Sequence, residues 1–302
     1  MERERALEYI YISVSPRRSQ KVTDTKHYKL HHTHNHMTQT YTITAPLHGS
    51  EYQTIKVHPK DHNEKLSTKY HFETPYRAVL AWESVFLHAN YRGRHEVWRT
   101  ILNNDDLYFT GPILDVGSGS GVSLMKLCKK KREVQKASNY HIDGITAVDN
   151  YDKKKGQLKK IINNIKAKEY TDLVTLTSAE LTNLPYSTDT FSLVTSPWAL
   201  RSYDRDTQKE ILREMARVCK PGGYIIITDL RPSGSGPYDE WIKEMGWHDV
   251  RKISAGPNGW FGCWTTDIYE FQKPATDTYR HSSESLTEED SVVIELHKVN
   301  LG

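Results

Sequence analysis

From Gly111 to Phe271 the hydrophobic positions switch repeatedly between two periods. Ile113-Leu-Asp-Val116 is a short apolar run closed by glycines, and Val122–Arg132 then repeats Leu124, Met125, Leu127 and Cys128 at helical spacing. The same exchange recurs. Gly144–Asp149 reads as a strand, Leu158, Ile161, Ile162 and Ile165 share one face of a helix, and Leu173–Thr177 and Phe191–Thr195 read as strands. A helix over Thr207–Cys219 carries Ile211, Leu212, Met215 and Val218; Pro221-Gly222-Gly223 ends it, and Tyr224–Thr228 is strongly β-like. Val250–Ala255, a turn at Gly256–Gly259, and Thr265–Phe271 read as an antiparallel hairpin. These seven strands predict an α/β fold with a doubly wound, mostly parallel sheet, helices on both faces and a reversed last strand.

Upstream, Thr74-Pro75 predicts a helix opening, followed by Val79, Trp82, Val85 and Phe86. A second helix from about Arg94 carries Val97, Trp98, Ile101 and Leu102 until Asn103–Asp106 breaks it. Earlier still, Thr40–Thr44 and Tyr52–Val57 alternate around Pro46–Ser50, as a small hairpin would. Residues 1–70 otherwise read as a polar, His-rich extension, 71–109 as a helical cover, 110–273 as the main domain and 274–302 as an acidic, disordered tail. In the tail, Asp290–Leu296 looks able to add a strand to a partner's sheet.

Composition narrows the function. Net charge is +3, from 41 basic and 38 acidic residues, too small to make nucleic acid or an anionic membrane the default partner. The three cysteines show no CxxC spacing, which argues against a disulfide scaffold or zinc ribbon and for a reducing compartment. Eleven of 15 histidines precede residue 96, several in His31–His36, but no carboxylates accompany that run, and no metal is expected. Without a transmembrane run or a leader-like start, a soluble protein is expected, cytoplasmic or possible in the nucleus.

Chemistry concentrates at the first strand-to-helix turn, Asp115-Val-Gly117-Ser118-Gly119-Ser-Gly121. Glycines let the backbone approach a ligand, and a nucleotide-like cofactor is implied. The dinucleotide pattern needs Gly or Ala where this chain has Val122. The turn instead resembles the first motif of class I S-adenosylmethionine-dependent methyltransferases. Asp149 ends the second strand, Glu180-Leu181 precedes Leu184-Pro185-Tyr186, Phe191-Ser-Leu-Val follows, and Arg217-Val-Cys-Lys-Pro-Gly-Gly223 is similar to the family's turn before a β-rich run. The resemblance covers about residues 110–273 and is nearest the group containing ubiquinone and menaquinone biosynthesis methyltransferases.

That resemblance implies S-adenosyl-L-methionine as cofactor, held by Asp115, Gly117, Ser118, Gly119, Gly121, Asp149, Asn150, Glu180, Leu181 and Ser196. Asp149 takes the ribose hydroxyls and Glu180 the adenine amine. Candidate bases near the carboxyl ends of the strands are Tyr203 and Asp229, with His248 behind them. Trp198, Trp260 and Trp264 are expected to form an aromatic wall for the methyl acceptor, a small or lipid-like molecule. The alternative is an RNA or protein acceptor held by Lys129–Arg132, Lys153–Lys155 and Lys159-Lys160. A third possibility, an inactive cofactor-binding module, sits poorly with the intact glycines and acids.

Overall fold

The computed structural model describes residues 41–43, 52–61, 64–70, 83–103, 107, 109–137, 142–231 and 236–275. Contacts divide the chain into Met1–Thr38 and Gln39–Gly302. The His31–His36 run, the Thr74-Pro75 opening and the Asp290–Leu296 segment lie outside the described residues.

The expected parallel strands are β3 (Ile113–Val116), β4 (Ile145–Asp149), β5 (Val174–Ser178), β6 (Phe191–Pro197) and β7 (Cys219–Arg231). They lie side by side in the order β5-β4-β3-β6-β7, so the order reverses next to β3. Strand β10 (Trp264–Gln272) runs antiparallel to β7 and to β8 (Val250–Ser254), which makes β10 the one reversed strand in the β3–β10 part of this row. The two-residue β9 (Trp260–Phe261) pairs with β10 outside the row.

The sheet is wider than the expected seven strands. Strands β1 (Tyr41–Ile43) and β2 (Gln53–Ile55) form the anticipated hairpin, and Thr54 of β2 stands opposite Thr177 of β5. Nine strands therefore share one row. An unpaired β5 edge would leave its N–H and C=O groups without ladder partners, and the hairpin supplies them.

Alternation along the strands sends side chains to two faces. Ile113, Ile145, Leu176, Leu193 and Ile226 pack with residues of α2 (Arg94–Ile101), α3 (Val122–Ala137) and α4 (Lys155–Ala167). Leu114, Val148, Val194 and Ile227 pack against α5 (Arg205–Val218) and α6 (Tyr238–Glu244). A short helix, α1 (Glu83–His88), leads through a π turn into α2, and a Cβ at Gly93 in that turn would sit 2.0 Å from the Asn258 carbonyl oxygen. The N-terminal cover is therefore pressed onto the loop before β9.

Two local expectations change. The helix expected over Val122–Arg132 continues to Ala137 as α3. Pro221-Gly222-Gly223 lies within β7: Phe191 pairs with Cys219 and Leu193 with Tyr224, leaving an irregularity opposite Ser192. Among the described residues no helix is long and apolar enough to cross a membrane.

Candidate functional site

In open α/β sheets ligands lie outside the carboxyl ends of the strands, where the strand order reverses. Here that point is the turn after β3. Gly117, Gly119 and Gly121 all have positive φ (69°, 55° and 89°), the left-handed region where a side chain is penalised. The Gly117 N–H donates to the Val148 carbonyl at 2.7 Å and the Gly121 N–H to the Ser118 carbonyl at 2.8 Å, so the turn is tied to β4 and to itself.

The three glycines serve different purposes. A Cβ on Gly117 would lie 2.3 Å from the Ala199 methyl, and on Gly121 3.2 Å from Ile161, so these two allow packing. A Cβ on Gly119 makes only ordinary contact, with Gln157 Oε1 at 3.4 Å. Gly119 and Gln157 both line a cleft of about 450 Å³, within the usual range for small-ligand sites. Its floor is the Gly117–Ser120 turn; one wall is Asp149 with Lys153–Gln157 and Lys160, the other is Pro197–Ala199 with Arg201 and Ser202, and Tyr70 closes one side.

Asp149 ends β4 and is 1% exposed. Its Oδ2 accepts the Gly119 N–H at 3.0 Å, and its Oδ1 accepts the Asn150 N–H at 2.8 Å and Lys154 Nζ at 2.9 Å. Glu180 Oε1 accepts Asn150 Nδ2 at 2.6 Å and Lys153 Nζ at 2.7 Å, so Asn150 links the two acids of the β4 and β5 ends. The turn at Gly119, the cleft volume and this pair of carboxylates fit a ribose-containing cofactor.

Other expected cofactor residues stand behind the surface. Asp115 is fully buried; Ser123 Oγ donates to both its carboxylate oxygens at 3.0 Å and Thr195 Oγ1 to one at 2.6 Å. Burial pushes its pKa up to about 6, against the pull of those hydroxyls. It braces β3, β6 and α3 rather than lining the cleft. Leu181 is buried beneath Gly117, and Ser196 is buried in β6 with no hydrogen-bond partner for its hydroxyl. Ser118 lines the cleft, and its hydroxyl donates to the Asp115 carbonyl at 2.6 Å.

The two expected bases sit in different surroundings. Asp229 is buried, with Oδ2 accepting the Arg201 N–H and the Tyr238 hydroxyl, both at 2.9 Å, and Oδ1 accepting the Leu230 N–H at 2.9 Å. Burial raises its pKa to about 6. It holds the Leu200–Ser202 turn that carries Arg201 to the cleft. The Tyr203 hydroxyl is raised by burial, with Lys154 opposing and Asp149 and Glu180 adding to the rise, which disfavours a phenolate at neutral pH. His248 precedes β8 at the opposite end of the sheet from the cleft, because β8 runs parallel to β7.

The three-tryptophan wall reduces to one ring. Trp198 lines the cleft but is 3% exposed, at φ +51°, with its indole N–H donating to Thr266 Oγ1 at 3.1 Å. Trp260 is exposed on β9, and Trp264 is half-buried against the core; neither lines the cleft. The guanidinium of Arg94 stacks 4.9 Å from the Trp198 ring. The basic run splits too. Lys131 is fully buried and donates to the Gly111 carbonyl, whereas Lys153, Lys154, Lys155 and Lys160 line the cleft. Arg94, Arg201 and Tyr70 were missed because each comes from a segment without a motif; the Lys153–Lys155 run was visible, but only as support for an RNA or protein acceptor.

Residues 114–227 match a methyltransferase domain family. Methyltransferase GfsG of Streptomyces halstedii is 30% identical over 127 residues, 41% of this chain and 39% of that protein. A demethylmenaquinone methyltransferase of Desulfitobacterium hafniense is 24% identical over 139 residues, 45% of this chain and 54% of its own length. The ubiquinone/menaquinone biosynthesis C-methyltransferase UbiE of Rickettsia rickettsii is 27% identical over 193 residues, 64% of this chain and 71% of that one. The chain thus spans only 39% and 54% of the first two relatives. Strand order, glycine turn and family match agree: residues 114–227 are a class I S-adenosylmethionine-dependent methyltransferase domain.

Proposed function

We propose that this chain transfers a methyl group from S-adenosyl-L-methionine to a small-molecule or lipid-like acceptor. The observation that carries the reading is the single cleft reaching from Asp149, across Gly119, to the Trp198–Ser202 wall. The names of the menaquinone and ubiquinone relatives support an acceptor of this size.

When bound, the cofactor supplies an electrophilic methyl group on a sulfonium. Asp149 offers carboxylate oxygens to its ribose, with Lys154 sharing that carboxylate, and Glu180 with Asn150 stands at its adenine side. Gly119 admits it by having no side chain. Buried Trp198 and half-buried Tyr70 narrow the other side and limit water. Asp229 and Tyr203 are poorly suited to remove a proton, so the chain's contribution is orientation and exclusion of water.

A second reading, an RNA or protein acceptor, draws on Lys153, Lys155 and Lys160 at the cleft. Burial of Lys131 removes part of the basic run that would support it. Incubating the protein with methyl-labelled S-adenosylmethionine and fractionated cell extract tests the proposal. The expected result is label in a small-molecule fraction; tight NAD binding with no response to S-adenosylmethionine or its demethylated product would overturn it.

A further inference from the structure

The cleft is strongly one-signed. Lys153, Lys154, Lys155, Lys160 and Arg201 line it, against the carboxylate of Asp149. Lys154 is paired with that carboxylate and Lys153 with Glu180, both on the β4 side of the glycine turn. Arg201 stands on the opposite wall, just beyond the end of β6. Because β3 lies between β4 and β6 in the sheet, Arg201 stands across the glycine turn from Asp149.

Arg201 is held there firmly. Its N–H donates to Asp229 Oδ2 at 2.9 Å, its Nε lies 4.0 Å from Oδ1 of the same carboxylate, and its side chain is 18% exposed. Behind it, Arg94 is stacked on Trp198 and donates from Nη1 to the Tyr70 carbonyl at 3.0 Å. Burial, with the Arg201 charge adding to it, pushes the Arg94 pKa down to about 9. Keeping two guanidiniums together beside a cleft is unfavourable, and an anion bound within it offsets the repulsion. A planar guanidinium matches the paired oxygens of a carboxylate or phosphate better than an ammonium does.

We propose that the methyl acceptor carries an anionic oxygen group, a carboxylate or a phosphate, and that Arg201, backed by Arg94, binds it. The proposal rests on the methyltransferase reading for the word acceptor, but the anion site can be tested without turnover. Calorimetric titration of the S-adenosylhomocysteine-loaded protein would compare benzoate, phenyl phosphate and neutral benzamide. At least one anion is expected to bind about tenfold or more tightly than benzamide, as a charge-assisted bond implies. The tighter of the two anions identifies the group.

Arg201→Met is expected to abolish that preference while leaving S-adenosylhomocysteine affinity unchanged, and Arg201→Lys to keep part of it. Arg201→Gln, which retains a polar group beside Asp229, repeats the comparison should the Met variant unfold. Equal binding of benzamide and the anions, or anion binding that survives loss of Arg201, would overturn the proposal. So would a parallel loss of S-adenosylhomocysteine affinity, which would assign Arg201 to the cofactor's own carboxylate. An RNA oligonucleotide that outbinds phenyl phosphate, and depends on Lys155 and Lys160 rather than Arg201, would overturn it in favour of a macromolecular acceptor. Arg201-dependent anion binding without any S-adenosylhomocysteine binding would keep this site and overturn the methyltransferase reading instead.

Discussion

Lys154 Nζ lies 2.9 Å from Oδ1 of Asp149, a carboxylate almost sealed from solvent that also receives the Gly119 N–H. Burial works against the Lys154 ammonium, but attraction to Asp149 exceeds it and the pKa stands above the ordinary lysine value. The Lys154 ammonium and the Gly119 N–H together aim the carboxylate at the glycine turn. Asp149→Ala is expected to weaken S-adenosylhomocysteine binding by roughly 10-fold to more than 100-fold, the range for charge-assisted bonds of about 1.5–3 kcal/mol. Glu180→Ala should cost less, since its carboxylate is largely exposed and water can replace it. Calorimetry on both variants checks the order; a larger loss for Glu180 would reverse the assignment.

The glycines should separate folding from binding. Gly117→Ala drives a methyl onto Ala199 at positive φ and is expected to lower the melting temperature sharply. Gly119→Ala meets no such contact, so its cost is the left-handed conformation alone, about 1–2 kcal/mol. It should nonetheless lose cofactor affinity. Thermal unfolding and titration of the two variants test this.

Lys131 and its neighbours should behave as different residues. Burial pushes the Lys131 pKa down to about 8, yet its ammonium is bonded to the Gly111 carbonyl. Lys131→Ser removes a buried alkyl chain and that bond, for an expected loss of about 2–4 kcal/mol in denaturant unfolding. Lys129→Ser, at an exposed position of the same helix, should change stability by less than about 0.5 kcal/mol.

Asp115 should give a pH signature. Its pKa rises from 3.8 unfolded to about 6 folded, so between those values the folded state holds the extra proton. The stabilising contribution is complete below pH 3.8 and is lost as pH rises through about 6, a difference of up to about 3 kcal/mol. Asp115→Asn should flatten the fall in stability between pH 4 and 7 relative to the parent. Identical slopes in urea titrations would contradict this.

Replacement of the candidate bases should show positioning rather than proton transfer. Tyr203→Phe is expected to reduce turnover by much less than the roughly 10²–10⁴-fold loss of a general base. Asp229→Asn should lower stability and acceptor affinity through Arg201 while leaving the shape of the pH–rate profile unchanged. A profile that loses its acidic limb in Asp229→Asn would restore the catalytic role.

The alternation of strand and helix periods, the glycines before Val122 and the acids after two strands were local signals, and they were enough for a mostly parallel sheet with a reversed last strand and for singling out Asp149 and Glu180 as candidates. Each depends on backbone period or turn geometry, which neighbouring residues set. What lies across the cleft was not local. Whether Lys131 points into the protein and Lys154 into the cleft depends on which helix face meets the sheet, and both belong to similar lysine runs. Trp198, Trp260 and Trp264 have one chemistry, yet burial and strand pairing put only Trp198 on the cleft. Asp229 looked like a base because it ends a strand; its buried partners make it a support for Arg201. The chain itself determined the fold and the glycine turn, whereas tertiary packing alone decided which charges face the cleft, because burial and partner distance are set by residues far apart in sequence.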